Sequence, residues 1–209
     1  MDFWDQLPSI SLAQFFSVTS FSHYMETFSL STMRKEKKYA LPDSSDFLGE
    51  KRWHKAYSAW NETGLFFLFE VEEIFQEEEK DSIELFIDTR DLKAKGVVSR
   101  FCHHFFFSIG NEKPIGEERT RFRGEEVHPL ADFADFQLMG EKKKEGYFLS
   151  IFIPASILFG YDPSQFLRLG FCYRIRAREK SSAHFFVSSI EYSIEQHPAT
   201  WGSLQLVRS

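Results

Sequence analysis

Residues 53–71, WHKAYSAWNETGLFFLFEV, contain two apolar runs separated by a short polar connection. The runs Lys55–Trp60 and Leu65–Glu72 flank the sequence Asn61-Glu62-Thr63-Gly64, and a short connection containing Asn and Gly between apolar runs is typical of a β-hairpin. Aromatic side chains favour strands because they fit a pleated, half-buried surface. This segment therefore predicts a pair of antiparallel strands and favours an all-β protein.

Further strand candidates recur along the chain, bounded by turn residues and without sustained helical periodicity. We expect them at Phe28–Thr32, Asp81–Asp88, Arg100–Ile109, Phe133–Met139, Tyr147–Ile153, Leu167–Arg178, Ala183–Ser189 and Ser203–Val207. Pro154–Leu158 predicts one helical turn that begins at the proline. The pattern predicts an antiparallel β-sandwich, jelly-roll-like, with one or two short helical turns.

The chain shows no internal repeat and no linker, so we expect one domain at 26–209 after a loose lead-in at 1–25. The charged runs at 77–80 and 141–145 predict solvated turns. The segment 110–129 has little regular pattern and is long enough to suggest a functional or mobile loop.

Composition limits the classes of partner and compartment. A net charge of −6 disfavours nucleic-acid binding, which usually shows a basic surface. No apolar stretch is long enough to span a membrane, and the acidic N-terminus does not resemble an export signal. We expect a cytoplasmic protein without membrane contacts, although unconventional secretion remains open. Cys102 and Cys172 are too few for a disulfide framework and predict buried, reduced thiols, although the two could pair.

Strand alternation predicts a polar face, because residues two apart on a strand point to the same side. Glu84 and Asp88 share one side of their strand, and Arg174 and Arg176 share one side of theirs. We expect these groups on one side of one sheet, either as a salt-bridged exterior or as a concave binding face. Guanidinium groups there would suit carboxylate, phosphate or sugar hydroxyls. The complete predicted ligand-binding set is Glu84, Asp88, Arg100, His104, Arg174, Arg176 and Trp60.

The sequence favours a non-enzymatic protein. Glu84 and Asp88 are about 13 Å apart if both lie on one strand, whereas paired glycosidase carboxylates lie about 5 to 9.5 Å apart. Neighbours in Cys102-His103-His104 point to opposite faces, so the three cannot bind one ion from a regular strand. We therefore expect no catalytic residue, no metal site and no cofactor.

Several segments together resemble the family 9 carbohydrate-binding module, a fold related to the DOMON superfamily. They are WHKAYSAWNETGLFFLFEV at 53–71, DSIELFID at 81–88, IPAS at 153–156 with LGF at 169–171, and WGSL at 201–204. IDTRD at 87–91 with RFCHHF at 100–105 resembles an uncharacterised bacterial branch of these proteins. The match covers about residues 40 to 207.

The resemblance implies a β-sandwich that binds sugars, or in some DOMON relatives haem. It also implies a terminal sugar held between tryptophan rings, with polar side chains on its hydroxyls. We therefore expect a non-catalytic binding domain whose ligand is a saccharide or another polar small molecule. The alternative is a protein–protein interaction or self-association domain with an exposed aromatic surface.

Overall fold

A computed structural model describes residues 18–42, 53–72, 81–93, 96–110, 113–123, 125–177, 180–185 and 193–208. Within these ranges the protein is built from eleven strands and one short helix, α1 (Leu30–Lys35). The strands are β1 (Thr19–Tyr24), β2 (His54–Asn61), β3 (Gly64–Val71), β4 (Ser82–Asp88), β5 (Cys102–Ser108), β6 (Ile115–Glu118), β7 (Gln137–Lys143), β8 (Gly146–Pro154), β9 (Arg168–Ala177), β10 (Lys180–His184) and β11 (Gly202–Val207). Among the described residues, no helix is long and apolar enough to cross a membrane.

The strands form one continuous hydrogen-bonded sheet in the order β6-β5-β4-β9-β11-β1-β2-β3-β8-β7, with β10 paired to β9. The sheet folds over on itself into two layers. Strands β6, β5, β4, β9 and β11 form one layer, and strands β2, β3, β8 and β7 form the other. Strand β1 joins them, because it pairs in parallel with both β11 and β2. The other strand pairs are antiparallel, so the fold is a mostly antiparallel β-sandwich.

The main core lies between the layers and is rich in aromatic rings. Phe67 of β3 stacks on Phe171 of β9 with ring centroids 5.4 Å apart, and Phe69 meets Tyr173 at the same centroid distance. These four side chains are at most 1% exposed. A buried hydrogen bond of 3.0 Å between His54 Nε2 and the Tyr173 hydroxyl also crosses between the layers.

A second apolar cluster covers the outer side of the β2–β3–β8 layer. Alternate residues of β3, such as Phe66 and Leu68, point away from the main core and pack with Met33 of α1. Helix α1 begins at Ser29, whose hydroxyl accepts a hydrogen bond from the Thr32 N–H group. Because both sides of this layer are covered, its strands consist of nearly continuous apolar runs rather than of alternating ones.

The predicted hairpin at 53–71 is confirmed, with Asn61 paired to Gly64 across the turn. Phe28–Thr32 was wrongly predicted as a strand, since Ser29 caps a helix there. The predicted strand Phe133–Met139 begins only at Gln137, after a 3₁₀ turn at Phe133–Asp135. The predicted turn after Pro154 is present as a 3₁₀ turn, Ala155–Ile157, with Pro154 at its cap rather than inside it.

Two strands lie where the sequence predicted none. Strand β1 lies inside the expected lead-in, and β6 lies inside the expected irregular segment 110–129. Of the other predictions, residues 1–17, the charged run at 77–80 and the end of the strand predicted at Ala183–Ser189 lie outside the described residues.

The alternation predicted for β4, β5 and β9 determines which side of the sheet carries the polar face. Ile83, Leu85 and Ile87 are at most 1% exposed and point into the main core. Glu84, the residue between Ile83 and Leu85, lies directly opposite Arg174 of β9. The outer side of these three strands therefore carries ionic groups, as the spacing predicts.

Candidate functional site

An open pocket of about 420 Å³ lies on the outer face of β4, β5 and β9. We call it the arginine pocket. Its lining residues come from these strands, from the chain after β6 and from residues 193–196. They are Ser82, Glu84, His104, Phe106, Arg119, Arg121, Arg174, Arg176, Ser193, Glu195 and Gln196.

Glu84 forms the centre of this pocket and is held by three basic side chains. The guanidinium of Arg174 donates to both carboxylate oxygens, with Nε to Oε1 at 3.0 Å and a terminal nitrogen to Oε2 at 2.6 Å. His104 Nε2 lies 2.8 Å from Oε2, and Arg176 Nε lies 3.2 Å from Oε1. Burial raises the pKa of Glu84, but the hydrogen bonds from His104 and Arg174 outweigh it and lower the pKa to about 2. Glu84 is therefore a fixed anion at neutral pH.

Arg174 is shared between two carboxylates. Its guanidinium also contacts Glu195 Oε1 at 2.6 Å, so the segment at 193–196 is tied to the floor of the pocket. Burial lowers the pKa of Arg174, but its bonds to Glu84 and Glu195 raise it above the usual value overall. Because Arg174 is buried and already binds two carboxylates, it positions the pocket floor rather than facing a ligand.

The rim of the pocket carries cations with free donors. Arg176 is 53% exposed at its side chain, and Arg121 is exposed without an ion pair among the described residues. Arg119 lies 3.5 Å above the ring of Phe106 and is also paired with exposed Glu117. The lining contains four guanidinium groups and two carboxylates, so the pocket has an excess of positive charge although the whole chain is acidic. This arrangement suits an anionic group with several acceptor oxygens.

The structure brings together Glu84, His104, Arg174 and Arg176 of the predicted set, but not the other three. Asp88 lies on the same face, where its carboxylate accepts the N–H groups of Arg90 at 2.9 Å and Leu92 at 2.7 Å and so fixes the turn after β4. Arg100 lies 3.8 Å from Glu126 and over the ring of Phe101. Trp60 is 0% exposed in the main core, so it offers no surface to a ligand. These three residues do not line the arginine pocket.

A second concave region, which we call the aromatic groove, has a volume of about 700 Å³. Phe66 stacks between Phe28 and Phe152 there, at centroid distances of 4.7 and 4.6 Å. Exposed Phe133 and Met139 lie at its edge.

Three buried side chains form a candidate metal-ligand cluster in a protein for which the sequence predicted no metal site. His103, Glu118 and His128 offer donor atoms that all lie within 4.8 Å of one another. His103 Nδ1 lies 2.9 Å and His128 Nε2 2.8 Å from the same Glu118 oxygen. Burial raises the pKa of Glu118, but its close contacts with His103 and His128 outweigh this and lower the pKa to about 2.

The cluster was missed because β6 was not recognised. Residues 115–121 alternate between exposed and buried positions, but the buried ones are Gly116, Glu118 and Thr120, so the sequence lacks the apolar alternation that would signal a strand. The same alternation places Arg119 and Arg121 outward, toward the arginine pocket. His128 has no local signal either, because its position depends on the course of the chain after β6.

The two cysteines match the prediction of buried thiols. Both are free and at most 1% exposed. Burial raises the pKa of Cys102 and of Cys172 to about 12, so neither is a thiolate at neutral pH.

No family profile matches this sequence, and no curated protein matches it. Solved structures do match its fold. A family 9 carbohydrate-binding module from Caldicellulosiruptor kristjanssonii in complex with cellotriose is 14% identical, with a TM-score of 0.64 over 91% of this chain and 94% of that one. The complex of such a module from the same organism with glucose gives 13% identity and a TM-score of 0.63, over 91% and 96% of the two chains.

A Bacteroides uniformis protein provisionally assigned as carbohydrate-binding is 10% identical, with a TM-score of 0.58 over 91% of this chain and 99% of that one. The resemblance seen in the sequence is thus confirmed at the level of the fold, whereas its DOMON-like part stays a prediction. The chain has the β-sandwich fold of family 9 carbohydrate-binding modules.

Proposed function

We propose that this protein is a non-catalytic binding domain that holds an acidic saccharide, or a similar polar small molecule with a carboxylate or phosphate group, in the arginine pocket. The observation that supports this most strongly is the rim of exposed guanidinium groups, Arg121 and Arg176, above a floor fixed by Glu84. The pocket volume of about 420 Å³ falls in the usual range for small-molecule sites.

The chemistry of the pocket favours binding over catalysis. A general acid must release a proton near neutral pH, whereas the ion pairs around Glu84 keep it ionised. Its oxygens are already occupied by Arg174, His104 and Arg176, so the carboxylate is not free to attack a sugar. Ser82, Ser193 and Gln196 add hydroxyl and amide groups that can bind sugar hydroxyls around an anionic group.

Titration calorimetry with two matched sugar series tests the proposal. We expect oligosaccharides of glucuronic or galacturonic acid to bind more tightly than neutral cello-oligosaccharides of equal length, and to lose affinity as salt is raised. Changing both Arg121 and Arg176 to Gln should weaken binding by about tenfold or more per guanidinium, because charge-assisted hydrogen bonds contribute about 1.5–3 kcal/mol each.

The control is Arg34→Gln, which removes an arginine that pairs with Glu70 on the other layer. It should leave sugar affinity unchanged. Equal affinity of the double variant and the unchanged protein for acidic sugars would refute the proposed site. Binding of neutral sugars that is lost in Phe152→Ala but kept in the double variant would move the site to the aromatic groove.

The aromatic groove supports a second candidate function, a surface for self-association or for a protein partner. Exposed Phe133 and Met139 lie beside the stacked rings of Phe28, Phe66 and Phe152, and contiguous exposed apolar surface often marks an interface. Light scattering tests self-association. On this hypothesis the protein is a dimer at micromolar concentration and Met139→Lys makes it a monomer, whereas a monomer at all concentrations counts against self-association.

A further inference from the structure

The cluster at His103, Glu118 and His128 is held together by contacts to one carboxylate oxygen. Besides the two histidines, the Thr120 hydroxyl donates to Glu118 Oε1 at 2.6 Å. The other oxygen, Oε2, accepts the N–H group of Ala131 at 3.0 Å. The side chains of His103, Glu118 and His128 are 0–1% exposed, so the cluster is sealed from water. It lies on the opposite side of the β5–β6 pair from the arginine pocket.

In this network, the contact between His128 and Glu118 has no hydrogen-bond donor when the His128 ring is neutral. Its Nδ1 lies 2.7 Å from the carbonyl oxygen of Arg100, and a carbonyl oxygen can only accept, so Nδ1 carries a proton. In a neutral ring the other nitrogen, Nε2, then presents a lone pair. That lone pair points at Glu118 Oε1 only 2.8 Å away, the oxygen that already accepts the Thr120 hydroxyl. Two lone pairs at this distance repel each other unless a proton, carried by either group, or a metal ion lies between them.

The wider arrangement favours the metal ion. A second proton on His128 would relieve one contact, whereas a cation among the three side chains would use lone pairs of both histidines and of Glu118. Two imidazoles and one carboxylate are a ligand set that zinc commonly takes. A histidine that binds a metal usually donates its other N–H group to a carbonyl or carboxylate, as His128 does to Arg100. His103 Nε2 lies near the main chain of Phe159 without making a normal hydrogen bond.

We propose that His103, Glu118 and His128 bind a single zinc ion in the interior of the protein, with the Thr120 hydroxyl as the neighbouring oxygen for a fourth position. The ligands come from β5, from β6 and from the irregular chain that follows. The ion would fasten this chain and the edge strand β6 to the sheet. Because the ligands are sealed from water, the ion would enter during folding and add to the folding free energy.

Refolding of the full chain from denaturant tests this site. We compare refolding with added Zn²⁺ and with a chelator, followed by removal of free metal and measurement of zinc by mass spectrometry. We expect one equivalent of zinc per chain and a higher melting temperature for the zinc-loaded protein. Refolding with Co²⁺ should give the intense visible absorption of a four-coordinate ion, which a six-coordinate surface site does not give.

The informative variants are Glu118→Gln and His128→Gln, which keep polar side chains of similar size. Each should lower zinc affinity by more than the roughly 10–100-fold that loss of an outer-shell partner causes. The matched control is His197→Gln, which removes a half-buried histidine outside the cluster. Equal loss of zinc in this control would mean surface binding and would overturn the proposal. So would a wild-type protein that takes up no stoichiometric zinc, or a Co²⁺ spectrum of six-coordinate type. None of these outcomes depends on sugar binding.

Discussion

At the residue scale, the chemistry of the pocket depends on Glu84. This carboxylate is 5% exposed and meets Arg174, His104 and Arg176. Leaving a buried charge without its partner is far more costly than losing an exposed pair. The folded state is therefore most stable when Arg174 and Arg176 surround Glu84. Arg176 is one of the two arginines proposed to bind a ligand.

We expect Glu84→Gln to destabilise the protein at neutral pH by up to about 3–5 kcal/mol, because buried Arg174 loses one of its two ionic partners and keeps only the more exposed Glu195. The difference from the unchanged protein should depend on pH. The pKa of Glu84 is about 2 in the folded protein, below its ordinary value of 4.5. Its contribution is therefore complete above about pH 4.5 and is lost as the pH falls toward 2. Urea unfolding at a series of pH values measures this.

Glu117→Gln is the control for this prediction, because Glu117 pairs with Arg119 on the exposed side of the sheet. It should change the free energy of unfolding by less than about 0.5 kcal/mol. The role given to Glu84 would be contradicted if the difference in unfolding free energy between Glu84→Gln and the unchanged protein stayed constant from pH 7 to pH 2.

The side-chain pairing of Glu84 with Arg174 was predictable, because strict alternation puts both on outward positions of neighbouring strands. The position of Arg100 was not. It precedes β5 rather than lying in it, so alternation along the strand does not govern its direction. The direction of Trp60 could not be predicted for a different reason. Both faces of β2 are covered, so the strand has no polar face from which the side of the core could be recognised.

At the element scale, the β2–β3 hairpin depends on one backbone conformation. Gly64 has a φ of +154°, and a Cβ atom there would lie 2.2 Å from the carbonyl oxygen of Ile153 in β8. The close approach lets β3 pair along its full length with β8, from Gly64 opposite Pro154 to Val71 opposite Tyr147. The glycine is thus needed for the neighbouring strand as well as for the turn.

We expect Gly64→Ala to lower the free energy of unfolding by more than about 2 kcal/mol, because it adds a clash with a backbone atom to the conformational strain. Gly96→Ala separates the two effects. Gly96 has a φ of +61° but no atom within 4 Å of the added carbon, so its cost should be about 1 kcal/mol. Thermal unfolding compares the two. Equal costs would mean that contact with β8 is unimportant.

Strands differed in how well they could be predicted, for a physical reason. Strands β3, β4 and β9 contain runs of aromatic and aliphatic residues, and such runs are typical of buried strands. Strand β6 is short and lies at the end of the sheet, where alternate residues remain polar. The helix α1 was mistaken for a strand because its six residues are too few to show helical periodicity, and its start depends on a capping hydroxyl at Ser29.

At the scale of the whole molecule, the two layers meet at a junction made by β1 and β11. Thr19 pairs with Ser203 and His23 pairs with Val207, so segments from opposite ends of the sequence lie side by side. Parallel pairing over this separation has no local signal in the sequence, which is why β1 was expected to be unstructured. Such long-range pairing also favours slow folding, since both ends must arrive before the sheet is complete.

Nested truncations test the junction. Deleting residues 202–209 removes β11 and leaves β9 and β1 without a partner between them. We expect this variant to lose cooperative unfolding and to aggregate through its exposed strand edges. Deleting only residues 208–209 removes an exposed arginine, and should cost less than about 1 kcal/mol. Cooperative melting of the longer deletion, measured by calorimetry, would show that the junction is dispensable.

The direction of these two neighbouring strands has a mechanical consequence. Because β1 and β11 run in parallel, a force applied between the chain before β1 and the chain after β11 acts along the strands. Their interstrand hydrogen bonds are then loaded in shear and share the load, instead of opening one after another as they do when a hairpin is unzipped. The protein should therefore resist stretching through its two ends more strongly than stretching across the β7–β8 hairpin.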